Sequence, residues 1–286
     1  MAIPVVSPES TAAVADLIRL REQFVKERLI FVESSRMIPI LKLLGATDED
    51  MEKIKTVSNG LPDDPTLPFR KSKNARFCFD FEQSKVRHLE FQPFILSADE
   101  DFVRHDSGQV RRFAEVEDDL QGNSTLQALF VFKALIFHGV PFKQRPRLDY
   151  ETENFIKLGE PALEGVHSDG VDFTMTTFLG SENMAGDSAT TFVHDMRAKN
   201  ALRWNEVNPE HTLGSHQHRE FLDTLLFVDH ERKHSLCPVY AIDPSRPATR
   251  DMLIFFTRKP VVEGHPSHPF DSLNSHISLP MEVGLA

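Results

Sequence analysis

Pro161-Ala-Leu-Glu-Gly-Val-His167-Ser-Asp169-Gly-Val-Asp-Phe-Thr-Met-Thr-Thr-Phe-Leu179 is the stretch on which the reading of this chain turns. From Gly170 onward, Val171, Phe173 and Met175 alternate with Asp172, Thr174 and Thr176, the period of two of a half-buried strand. Residues two apart on a strand project to the same side. The spacing therefore predicts that His167 and Asp169 aim an imidazole and a carboxylate at one point, as two ligands of a facial metal triad must. A chain with this His and acid content holds roughly two His-x-acid pairs by chance. Three occur: His88-x-Glu90, His167-x-Asp169 and His218-x-Glu220. Only the second has glycine on both flanks, Gly165 and Gly170, and a strand-like run behind it.

Two later segments answer it. Asp223-Thr-Leu-Leu-Phe-Val-Asp-His-Glu-Arg-Lys-His234-Ser-Leu-Cys-Pro238 is a second apolar run ending in histidine, and Arg250-Asp-Met-Leu-Ile-Phe-Phe-Thr257 is a third strand opened by arginine. His230 competes with His234 for a third ligand position, and Arg258 with Arg250 for the arginine. Three strand-like segments with no helical crossover between them point to an antiparallel jelly roll rather than a parallel α/β sheet.

The order His-x-Asp, distant His, Arg resembles the layout of Fe(II)/2-oxoglutarate oxygenases. The matching pieces are Gly108–Phe113, Glu164–Phe173, Asn183–Asp187, Asp229–Pro238 and Arg250-Asp251. Together they resemble the 2OG-Fe dioxygenase family that includes the bacterial free isoleucine hydroxylases. The resemblance implies a mainly β fold with flanking helices, a double-stranded β-helix (cupin-like jelly roll) core. It further implies Fe(II) held by His167, Asp169 and His234, 2-oxoglutarate gripped through its distal carboxylate by Arg250, and O2 as oxidant. Pro238, four residues after His234, matches the family's His-x-x-x-Pro ending and favours His234 over His230. Substrate contacts implied beside the metal are Arg111 or Arg112, whose planar guanidinium suits a carboxylate, and Glu164. The implied reaction hydroxylates an unactivated C–H of a small free amino acid, aliphatic or cyclic, releasing succinate and CO2. Ala162-Leu163 and Ala185-Gly186 depart from the family pattern and leave the substrate open. Other readings are oxidation of a secondary metabolite, a silent cupin-like binding module and a metal-dependent hydrolase.

Composition bounds the rest. A formal charge of −11 and a pI near 5.6 argue against a nucleic-acid footprint, which needs clustered Lys and Arg. Two cysteines make no disulfide framework. Without a leader-like N-terminus or an apolar run of spanning length, the expectation is a cytoplasmic enzyme of small molecules with no membrane partner. Oligomeric state stays open, a homodimer included. Residues 1–60 read as a helical region packing on the core. Ser7-Pro8 starts a helix, Val14, Leu17, Ile18, Phe24, Val25 and Leu29 form its apolar stripe, Met37–Leu44 gives a shorter segment, and Thr47 caps a third. Residues 61–76 read as a Pro-rich linker with a basic, solvated end, and 77–286 as the oxygenase domain. Within the latter, short strands are expected near Phe77–Phe81 and Val86–Leu96, and a buried helix over Ser124–His138 capped by Ser124. A further strand is expected over Ser188–Val193. Arg145 and Arg147 are further candidates to face the pocket. His211, His216 and His218 crowd what reads as a polar loop.

Overall fold

The computed structural model describes residues 8–67, 69–95, 108–117, 119–141 and 165–285. Ser7, Arg145, Arg147 and Glu164 lie outside the described residues. In chain order the N-terminal part carries α1 (Pro8–Glu27), β1 (Leu29–Val32), α2 (Ser34–Leu43) and α3 (Asp48–Ile54). Then come β2 (Lys73–Asn74), β3 (Arg76–Asp80), β4 (Lys85–Leu89), β5 (Ala114–Glu115) and α4 (Ser124–Phe137). The remainder is β6 (Phe173–Glu182), β7 (Thr191–His194), β8 (Thr212–His216), β9 (Thr224–Val228), β10 (Lys233–Leu236), β11 (Thr249–Thr257) and β12 (Glu282–Gly284).

The architecture is mainly β with helices against it. One sheet runs β1-β9-β6-β11 and a second β10-β7-β8, and every pairing in both is antiparallel. β12-β4-β3 form a third sheet, and β2 pairs with β5 in parallel. No α-helix stands between β6 and β11, so antiparallel pairing follows from connections too short to cross over. β4 stops at Leu89, short of the Leu96 expected, and β7 begins at Thr191 rather than Ser188.

The N-terminal region is not purely helical. α1 ends where Arg28 adopts a φ of 64°, and the next residues pair with β9 from Leu29 opposite Phe227 to Val32 opposite Thr224. This segment thus supplies the edge strand of the four-stranded sheet. Leu29 belongs to that strand, not to the helical stripe. α1 buries Ala13, Leu20 and Phe24, whereas Val14, Ile18 and Val25 are exposed. Positions 13, 17, 20 and 24 share one face of a 3.6-residue helix, and the sheet selects that face over its neighbour. Full burial of Leu20 and Phe24 contributes about 1.5–3 kcal/mol each. One apolar cluster joins them to Met37, Ile40 and Leu41 of α2, Leu129 and Phe132 of α4, and Phe173, Met175, Leu226 and Val228 of the sheet.

α3 is capped as expected, Thr47 Oγ1 accepting from the Asp50 amide at 3.2 Å. α4 is capped by Asn123 instead of Ser124. The Asn123 side chain accepts from the amides of Thr125 (2.9 Å) and Leu126 (3.2 Å), while the Ser124 hydroxyl donates to Asp50 at 2.6 Å and ties α4 to α3. The basic end of the linker is less solvated than expected. Buried Asp64 accepts from Arg70 and Ser72, each at 2.7 Å, and Arg76 pairs with Asp271 at 2.9 Å. Among the described residues no helix is long and apolar enough to cross a membrane.

Candidate metal centre

His167 lies on no regular strand. It forms an isolated bridge with His234 of β10, each backbone amide donating to the other's carbonyl at 3.0 and 2.9 Å. Two residues far apart in sequence thus stand directly opposite one another, their ring centroids 4.3 Å apart. The approach to the bridge depends on Gly165. It holds φ = 67°, and a Cβ there would meet the Leu202 carbonyl oxygen at 2.4 Å; only glycine tolerates both. Its own carbonyl accepts from His167 Nδ1 at 2.8 Å. That contact places the proton on Nδ1 and leaves the Nε2 lone pair for the centre.

Asp169 is held from two sides. The carboxylate of Asp229, fully buried in the turn after β9, accepts from the amides of Asp169 (2.8 Å), Gly170 (3.0 Å) and Val171 (3.3 Å). This clamp, rather than a strand, sets the direction of the Asp169 side chain. Thr174 of β6 donates to Asp169 Oδ2 at 2.9 Å. The alternation that marked β6 is real, but both faces are buried where the strand begins. Phe173 and Met175 enter the apolar core, and Thr174 on the other face is buried beside Asp169. His167 Nε2 lies 3.5 Å from Asp169 Oδ1, and His234 Nε2 lies 3.8 Å from Oδ2. Burial opposes ionisation of Asp169, but the two imidazoles and the Thr174 hydroxyl outweigh it and hold the carboxyl well below its usual range.

One atom each of His167, Asp169 and His234 lie within 4.8 Å of one another, so the three could hold a metal ion. Two imidazole nitrogens and one carboxylate oxygen suit a first-row divalent ion such as Fe(II) and leave three adjacent octahedral positions open. The competing His230 is turned to Asp172, its Nε2 lying 2.8 Å from Oδ1.

Arg250 opens β11, opposite Ser181 of β6. Its Nε is shielded from solvent without a hydrogen-bond partner, and among the described residues it has no carboxylate within ion-pair distance. Burial draws its pKa down to about 10, the Cys237 thiol acting in the opposite sense. Nη2 faces His218 Nδ1 at 3.4 Å, and His218 Nε2 in turn lies 3.2 Å from the Thr176 hydroxyl. Thr174 and Thr176 project from the same face of β6, about 7 Å apart along the strand. The guanidinium therefore lies further along the wall that holds Asp169. On that face the cross-strand partners of Thr174 and Thr176 are Phe256 and Ile254, 56% and 49% exposed. They form an apolar strip beside the centre.

Of the proposed substrate arginines, Arg111 is buried and Arg112 exposed, and the Arg111 backbone bridges to Phe94. Three contributors escaped the sequence reading. Asp229 and Thr174 looked like one acid and one hydroxyl among many. His218 read as part of a polar loop, yet it is 1% exposed and packs edge-on against Phe31.

Comparison with known proteins bears directly on this arrangement. Residues 55–256 match the 2OG-Fe dioxygenase family. TqaL, a solved Fe(II)/(alpha)ketoglutarate-dependent dioxygenase, is 47% identical with 98% of each chain covered and a TM-score of 0.79. The bifunctional enzyme flvA of Aspergillus flavus is 45% identical over 96% of this chain, which spans only 35% of that protein's length. A bsmA homolog from Methylobium petroleophilum PM1 covers 90% of this chain and 95% of its own at 16% identity and a TM-score of 0.59, a likeness of fold alone. The chain belongs to the 2OG-Fe dioxygenase family. It is an oxygenase that works with Fe(II), 2-oxoglutarate and O2, and a small-molecule substrate is expected of it.

Proposed function

We propose that this oxygenase hydroxylates an unactivated C–H of a small free amino acid, aliphatic or cyclic, with succinate and CO2 as co-products. Fe(II) would be held by His167, Asp169 and His234, and the distal carboxylate of 2-oxoglutarate by Arg250. The observation that carries the reading is a guanidinium whose Nε is shielded from solvent, with no carboxylate partner among the described residues, on the β6–β11 wall whose Thr174 holds Asp169 of the His/Asp/His donor set. Leaving a cation buried and unpaired costs several kcal/mol, and a diacid bound at the centre would offset that cost. Bound iron supplies the oxidative chemistry.

The chain's own residues position and exclude. Gly165 fixes the His167 ring through its carbonyl, Asp229 clamps the 169–171 turn, and Thr174 orients the Asp169 carboxylate. Arg250 would pair with the co-substrate through two parallel hydrogen bonds. Ile254 and Phe256 would give the substrate an apolar wall, and buried Arg111 a partner for its carboxylate. In support of a double-stranded β-helix core, β6, β9 and β11 lie in one sheet while β7, β8 and β10, interleaved with them in sequence, lie in the other. We place the boundaries at 1–60 for the N-terminal region, 61–76 for the linker and 77–286 for the oxygenase domain.

The test is succinate release from anaerobically reconstituted Fe(II) protein given 2-oxoglutarate and then air, against a panel of free L-amino acids. Amino-acid-dependent succinate, with one oxygen gained by that amino acid, is the expected result. Succinate without any responsive amino acid would remove the substrate class and favour oxidation of another metabolite.

A further inference from the structure

Resting on the reading of Arg250 as the 2-oxoglutarate anchor, we infer that His218 is a positioning residue for the co-substrate: a neutral acceptor that orients the buried guanidinium without neutralising it. A guanidinium only donates, so the 3.4 Å approach of Arg250 Nη2 to His218 Nδ1 requires a lone pair on Nδ1. The proton then sits on Nε2, where it meets the Thr176 hydroxyl at 3.2 Å and the Thr176 carbonyl at 3.3 Å. A carbonyl only accepts, so both ends of the ring agree on one tautomer.

The surroundings keep that ring uncharged. His218 is 1% exposed, and Phe31 packs edge-on against it at 5.4 Å. Burial, reinforced by the positive charge of Arg250, pushes its pKa down to about 3, with the Thr176 carbonyl and Asp223 acting weakly the other way.

Buried arginines ordinarily take a carboxylate partner, which satisfies their hydrogen bonds and their charge together. His218 separates those two tasks. It fixes one Nη of Arg250 and leaves Nε, the other Nη and the full positive charge for an incoming anion. Thr176 holds the far side of the ring, so orientation passes from β6 through His218 to β11.

Asn and Asp separate charge from geometry at this position. Both place an oxygen near where Nδ1 stands and both lose the Thr176 contact, so they match in shape and differ in charge and in the NH2 that replaces one carboxylate oxygen. Binding of 2-oxoglutarate would be measured by calorimetry on protein loaded anaerobically with Mn(II), which permits no turnover, with Mn(II) affinity as the control. His218→Asn is expected to keep the dissociation constant within about threefold of the parent, and His218→Asp to weaken it at least tenfold beyond His218→Asn, about 1.4 kcal/mol. The uncompensated charge of Arg250 gains a counter-ion in the Asp variant, so its unliganded melting temperature should equal or exceed that of the Asn variant. Equal 2-oxoglutarate affinity in the two variants would overturn the proposal. If the Asp variant does not fold, His218→Ala replaces it, expected to bind several-fold more weakly than His218→Asn; equality again overturns the role. Arg250→Ala separates anchoring of the co-substrate from orientation of the anchor. If its 2-oxoglutarate affinity matches the parent's, Arg250 is not the anchor and the role of His218 falls with it. If Arg250→Ala abolishes binding while Asn and Asp behave alike, the anchor stands and the neutral-acceptor role alone fails.

Discussion

Asp229 is where the centre is most exposed to a single atom. Replacing it by Asn keeps shape and volume but turns one carboxylate oxygen into an NH2 group. In the structure Oδ1 accepts from the Asp169 amide at 2.8 Å, and Oδ2 accepts from the amides of Gly170 and Val171 at 3.0 and 3.3 Å. The one carbonyl oxygen left by Asp229→Asn can serve only one of those positions, so the NH2 group must face at least one buried N–H. A hydrogen bond to a charged group contributes about 1.5–3 kcal/mol and a stranded buried amide costs about 1–3 kcal/mol, overlapping quantities that together put the loss near 2–4 kcal/mol. At an unfolding entropy of about 2.1 cal/mol/K per residue, a chain of 286 residues should lose roughly 3–7 °C of melting temperature. Because the clamp aims Asp169, metal affinity should fall as well, by about 10–100-fold, the usual effect of losing a group that orients a ligand. Both are measurable without turnover, the first by thermal unfolding of metal-free protein and the second by Mn(II) titration. Asp172→Asn, which disturbs the neighbouring contact to His230 at 2.8 Å, should leave Mn(II) affinity unchanged. A melting temperature within about 1 °C of the parent together with unchanged Mn(II) affinity would refute the assignment of Asp229 as the clamp.

Gly165→Ala forces a Cβ to within 2.4 Å of the Leu202 carbonyl at a φ of 67°, so the His167 bridge should shift. We expect a loss of at least about 2 kcal/mol in denaturant unfolding together with weakened Mn(II) binding, since overpacking and left-handed strain each cost about 1–3 kcal/mol. His234→Ala should abolish Mn(II) binding at micromolar metal while His230→Ala, which removes the contact to Asp172, should retain it; the reverse would move the ligand role to His230. His194 should give the metal-free protein a distinctive acid limb. Burial, with the Lys233 charge adding to it, drops its pKa to about 4, against about 6.5 in the unfolded chain. The neutral ring therefore stabilises the fold fully above about pH 6.5, and that contribution is lost as pH falls toward 4, up to about 3 kcal/mol. His194→Gln should flatten the stability profile across that window, and an unchanged slope in urea titrations at successive pH values would refute the attribution.

The fold's outline and the donor set were legible in the sequence because they rest on local pattern. Period-two alternation after Gly170 marked β6, Thr47 and its following acids marked the start of α3, and His167-x-Asp169, His234 and Arg250 carried the order of a known family. What tertiary structure decided is everything that depends on residues far apart meeting. Nothing local distinguishes the face of α1 containing Leu20 and Phe24 from the one containing Val14 and Ile18; the sheet buries the first. Leu29–Val32 is too short to announce itself as a strand, and only β9 alongside makes it one. The His167/Asp169 pair converges not because a strand places it, as the alternation suggested, but because a backbone bridge to His234 and the Asp229 carboxylate impose the geometry. His218 looked like one polar-loop histidine among three until the packing of β1, β6 and β11 enclosed it. Sequence specifies which chemical groups are present and the local period of the backbone. Burial, protonation and counter-ions are set by long-range contacts, so an Arg250 with no carboxylate partner among the described residues became visible only in three dimensions.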